Sequence, residues 1–79
     1  MKNKKTDFRA HLVNDPDEYE DVCYAVFEEP YDEKGKLKTY DLLRGVFDDL
    51  QIAKKYSDTF PESHVAIYSE YVDGNYNYL

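Results

Sequence analysis

The longest uninterrupted apolar run, Val22 to Phe27, is embedded in charge of a single sign. No Lys or Arg occurs between Ala10 and Glu33, while nine acids do: Asp15, Asp17, Glu18, Glu20, Asp21, Glu28, Glu29, Asp32 and Glu33. Six apolar residues fall far short of the ~20 that span a bilayer, so the run has to be buried within a fold and the acids have to stay on its surface. That fold is small. Seventy-nine residues make one domain, 1–79, and a core of this size supplies only about 3–5 kcal/mol. A single cysteine excludes an intramolecular disulfide, and no Cys/His cluster is spaced to hold a structural metal. Stability therefore rests on packing, on backbone pairing or on a partner.

The run fits two periods. As a helix over 16–29 it has Asp15 at the cap, Pro16 at the first helical position, and Tyr19, Val22, Cys23, Val26 and Phe27 on one stripe. As a strand it places Val22, Tyr24 and Val26 on one face and Cys23, Ala25 and Phe27 on the other. The strand is preferred. Downstream, Tyr31 to Lys36 reads as a hairpin loop with Gly35 at positive φ, and Leu37 to Phe47 as the partner strand, with Gly45 marking a bulge.

The clearest helix runs from Asp49 to about Asp58. An acid caps it, Leu50, Ala53 and Tyr56 recur at three-residue spacing, Lys54 and Lys55 lie toward its C-terminal end, and Pro61 stops it. His64 to Val72 then reads as a strand, Asp73-Gly74 as a hairpin turn, and 75–79, with Tyr76 and Tyr78, as a short strand or tail. Phe8, Ala10 and Leu12 alternate, so 7–13 is a candidate edge strand, whereas 1–9, with four basic side chains against one acid, reads as a mobile basic terminus. No apolar stretch follows Met1, so no signal peptide is expected and the location expected is cytoplasmic.

The stretch Gly45-Val46-Phe47-Asp48-Asp49-Leu50, then Ala53-Lys54-Lys55-Tyr56, and the later His64 to Gly74 resemble a β-β-α-β pattern of small orphan proteins encoded by bacteriophages and prophages. In these a first hairpin ends in a Gly-Val-Phe strand, an acidic or serine cap opens one helix, and a last strand closes the sheet. The resemblance covers 22–74 and implies a sheet-plus-helix domain of viral origin. It carries no catalytic signature and transfers no functional residue.

Motifs for catalysis are lacking. Cys23 would need a base from His11 or His64, but inside an apolar run a thiol behaves as a small buried hydrophobe. Asp15, Asp17 and Tyr19 begin like a calcium loop, yet the sixth position is Glu20 instead of Gly and the twelfth is Val26 instead of Glu. Adjacent acids such as Asp48 and Asp49 read as caps or solvated charges. Three glycines and no phosphate loop leave no cofactor cradle. An enzyme, a metal and a cofactor are not expected. Net charge −7 opposes direct nucleic-acid binding.

The expected fold is α+β: a three- to four-stranded, mainly antiparallel sheet with one helix on one face. The alternative is a helix at 16–29 and a second long helix at 40–57 with a C-terminal hairpin. Core candidates are Val22, Tyr24, Val26, Leu42, Val46, Phe47, Leu50, Ala53, Val65 and Ile67. One helix leaves the other sheet face open, a surface for a homodimer or a partner. Nine tyrosines beside seventeen acids suggest a protein-binding module. Its nine acids from Asp15 to Glu33 would stand in for phosphates in a basic groove of a host protein, as in anti-defence or anti-CRISPR inhibitors. The alternative function is a generic accessory protein acting through an aromatic sheet face.

Overall fold

The computed structural model describes residues 6–30, 34–37 and 42–79. The expected α+β class is observed: a three-stranded antiparallel sheet in the order β2-β1-β3, with one main helix. Strand β1 is Tyr24–Glu28, β2 Leu43–Phe47 and β3 Ser63–Ile67; helix α1 is Leu50–Ser57 and a short helix α2 is Tyr68–Asp73. The apolar run thus supplies the central strand, and the helical alternative for 16–29 does not form. Only Pro16–Glu18 turns, as a single 3₁₀ turn.

A central strand is buried on both faces, which is why β1 shows no polar alternation until Glu28. Val26 packs with Phe47, Ala53 and Val65 under α1, and Phe8, Tyr24, Leu50 and Tyr56 close that side. Cys23, Ala25 and Phe27 pack with Val46 and Ala66 on the opposite side, beneath Tyr68, Tyr71 and Tyr76. Pairing runs Tyr24↔Phe47, Ala25↔Val46 and Val26↔Gly45, then shifts so that Phe27 faces Leu43. Arg44 is the extra residue of this bulge, beside Gly45 as anticipated. A Cβ at Gly45 would lie 3.1 Å from the Phe47 ring and 3.6 Å from Tyr56, so glycine here makes room for the aromatic layer. Gly35 has the expected positive φ of 79°; residues 38–41, read as part of the partner strand, lie outside the described residues.

Helix α1 forms as expected. The Asp49 carboxylate accepts from the Ile52 amide at 3.1 Å, and Lys54 and Lys55 occupy the last turn, where cations oppose the helix dipole.

The end of the chain departs from expectation. The strand read over His64 to Val72 stops at Ile67, because β1 begins at Tyr24, the residue opposite Ile67. Beyond that point no ladder remains to join. The Tyr68 amide donates to Cys23 O at 2.9 Å, and the chain coils locally into α2. Asp73-Gly74 is not a hairpin turn but the end of that helix, where Gly74 takes φ 80° and ψ 10°, the left-handed cap conformation that glycine adopts without Cβ strain. Residues 75–79 form no strand. They return under the sheet: Tyr76 meets Phe27 edge-on at 4.9 Å, Tyr78 stacks flat on His64 at 3.9 Å, and the Leu79 amide donates to Val65 O at 2.8 Å. The sheet face expected to be open is therefore covered by α2 and this tail, and the open-face argument for a homodimer falls with it.

At the other end the edge strand read over 7–13 is mostly a 3₁₀ turn, Phe8–His11, after which only Leu12 and Val13 pair with β2. Of the basic segment 1–9, residues 1–5 lie outside the described residues. Phe8 is docked, 5.1 Å from the Tyr56 ring and 6.2 Å from Phe47, so this part of the segment is not a free terminus. Val22, read as core, is 54% exposed, while Phe27, Ala25 and Ala66 are core positions the expected set left out.

Candidate functional site

The acids divide by element. Asp15, Asp17, Glu18, Glu20 and Asp21 are all exposed and sit in one seven-residue loop between the pairing of Val13 and the start of β1. Proline at the first position fixes the turn, and the Glu18 amide closes on Asp15 O at 3.0 Å. This turn throws the five carboxylates outward with no cation among them.

Glu28 does not join them. As the last residue of β1 it is only 7% exposed, and both Nε and Nη2 of Arg44 reach its Oε2 at 2.5 Å. The bulge aims Arg44 at this carboxylate, and the guanidinium carbon also lies 5.0 Å from the centre of the Phe60 ring. Glu28 is a structural ion-pair partner and not a docking charge. Glu29 is half-buried and accepts from the Tyr76 hydroxyl at 3.3 Å, tying the tail to β1. Asp32 and Glu33 lie outside the described residues.

Two features of the loop were invisible in the residue order. Asp48, from the β2–α1 junction, lines a concavity with Asp15, Glu18 and Tyr19 and is held by His11, whose Nδ1 lies 2.9 Å from its Oδ1. His11 is thus engaged by a carboxylate. On the other flank the loop faces the beginning of α2. Between them runs a groove of about 300 Å³, with Cys23 and Ile67 among its lining residues and with Tyr19, Val22, Tyr68 and Val72 along its sides. The Tyr68 hydroxyl donates to Asp17 Oδ1 at 3.2 Å across it.

The electrostatics agree with this placement. Burial pushes the Cys23 thiol up, and the Asp17 charge adds to the shift. Desolvation also raises the Tyr68 phenol, helped by its bond to Asp17, and raises that of Tyr19, helped by Asp48 and Asp21. A thiol held in its protonated form is a poor nucleophile, which accords with Cys23 as a buried packing residue. His11 and His64 have Asp48 and Tyr78 as their described partners.

A larger, open cleft of about 520 Å³ lies between α1 and β3, with Lys54 and Lys55 on one wall. Among the described residues, no three His, Cys, Asp or Glu side chains are grouped to hold a metal, and no helix is long and apolar enough to cross a membrane. No protein-family model, curated protein or solved structure matches this chain.

Proposed function

We propose that this protein is a non-enzymatic acidic binding module that inhibits or modulates a host protein by occupying its basic, nucleic-acid-binding surface. The observation that carries the reading is the 15–21 loop, in which five exposed carboxylates are presented within seven residues. Five carboxylates within seven residues, folded back by the Pro16–Glu18 turn, concentrate negative charge in one short segment, as the closely spaced phosphates of a nucleic acid do. Exposed Tyr19 in the same loop and Val22 just after it add the apolar anchors that interfaces use. The resemblance in the β-β-α-β pattern supports a phage or prophage origin, and the acidic, tyrosine-rich surface is what suggests an anti-defence role in the host cytoplasm. The competing reading, a generic module acting through an open aromatic sheet face, needs a surface that α2 and the tail occupy.

The test is capture of the partner from the natural host, followed by binding kinetics with duplex DNA as competitor. The expected outcome is a partner whose basic surface is blocked equally by DNA and by this protein, with an association rate that falls steeply with salt. The variant Asp17→Asn/Glu18→Gln/Glu20→Gln/Asp21→Asn should associate at least tenfold more slowly, about the lower end of electrostatic steering. Unchanged association of this variant at low salt would remove the reading.

A further inference from the structure

We propose that the groove between the acidic loop and the start of α2 receives an arginine side chain of the basic partner. This inference rests on the function proposed above and names the anchor of that contact. The groove combines two surfaces usually kept apart. Val22 and Val72 are 54% and 59% exposed at its edge, and Tyr19 is 38% exposed. Beside this apolar surface stand the carboxylates of Asp17 and Asp21. Arginine has the matching profile, an aliphatic stem that covers apolar surface and a cationic head that stays polar. Its planar guanidinium also stacks on phenol rings and meets carboxylates in a fixed fork, which a lysine ammonium cannot do.

Geometry favours this occupant over others. Asp17 is held by the Tyr68 hydroxyl through Oδ1, so its position is set before a partner arrives. An anion would meet the same negative field that, after desolvation, helps keep Tyr19, Tyr68 and Cys23 protonated. A second copy of this chain would bring its own net charge of −7.

The experiment is an amide-detected NMR titration of the full chain with N-acetyl-arginine amide, with N-acetyl-citrulline amide as the neutral isostere. The expected result is saturable shifts confined to residues 17–23 and 67–72, with citrulline silent. Tyr19→Ala should weaken binding about two- to fivefold through the lost ring contact, and Asp21→Asn by a similar factor. The charge-matched change Asp58→Asn, on the far end of α1, should leave the affinity within error. These side chains are exposed, and a dispersed spectrum verifies that each variant is folded. Shifts that scatter over all exposed carboxylates without saturating, or that respond equally to Asp21→Asn and Asp58→Asn, would overturn the groove. A parallel titration with a hexa-arginine peptide at low salt separates the two readings. If that peptide binds the acidic loop while arginine amide finds no groove, only the groove is lost. If neither binds, the acidic-surface function is lost as well.

Discussion

Glu28 shows how far a residue's role depends on its partner. In the sequence it belongs to a pair of acids next to Pro30, with nothing to distinguish it from the exposed block. Its cation, Arg44, is sixteen residues away and arrives only through the β1–β2 ladder and its bulge. Removing one member of a buried pair leaves the other charged and poorly solvated, at a cost of about 3–5 kcal/mol. Because the Arg44 side chain is 30% exposed, Arg44→Ala should cost about 2–3 kcal/mol, at or below the low end of that range. Urea unfolding measures it, and Glu28→Gln in the same background should recover part of the loss. The buried thiol and half-buried phenols of the opposite face give an alkaline prediction. Cys23, with an ordinary value of 9.0, and Tyr71 and Tyr76, with 10.0, are all raised in the fold, first by burial. The folded chain thus holds these protons more tightly than the unfolded one. Their contribution is complete below pH 9.0 and is lost as pH climbs through the raised values. Tm should decline above about pH 9, and Cys23→Ala should delay the onset toward the tyrosine range.

Among the elements, α1 was the most legible, because its signals are local. An acid at the cap, a three-residue apolar repeat and a terminal pair of lysines all lie within ten residues. Asp49→Ala should cost about 1 kcal/mol, read from thermal or urea unfolding, since the Ile52 amide then loses its acceptor. Strand β1 was legible for a different reason: an apolar run this short cannot span a bilayer and has to be buried, although both periods fit it and Val22 at its start stays 54% exposed. The miss at 68–74 has a non-local cause. Tyr68, Tyr71 and Val72 fit a strand with two wet-and-dry faces as well as a short helix, and Asp73-Gly74 serves a hairpin as readily as a helix end. What decides between them is the start of β1 at Tyr24, which leaves residues after Ile67 with no ladder. The acidic loop was legible as composition. Its groove was not, because Ile67 at the end of β3 and Tyr68, Ser69 and Val72 of α2, which complete the lining, lie some fifty residues downstream.

For the molecule as a whole, the excess of charge works against compactness. Residues 10–79 carry six basic against sixteen acidic side chains, and like charges in a small volume repel. The four-site loop variant should therefore gain stability at low salt, about 1 kcal/mol or ~4–8 °C in Tm, measured by differential scanning calorimetry. The gain should vanish at 1 M salt, where screening acts over about 3 Å. The strand order adds a matter of timing. β1 lies in the middle of the sheet but is made first, and its two neighbours follow only at residues 43–47 and 63–67. Until both exist, Cys23 to Phe27 is a short, uncharged, β-prone segment without a mate, the kind that pairs with another chain. Asp17, Glu18, Glu20 and Asp21 stand just ahead of it and Glu28 and Glu29 just behind, as charged gatekeepers on either side of an unavoidable hydrophobic strand. During that wait Glu28, later sealed inside the fold, guards the nascent chain against its own copies.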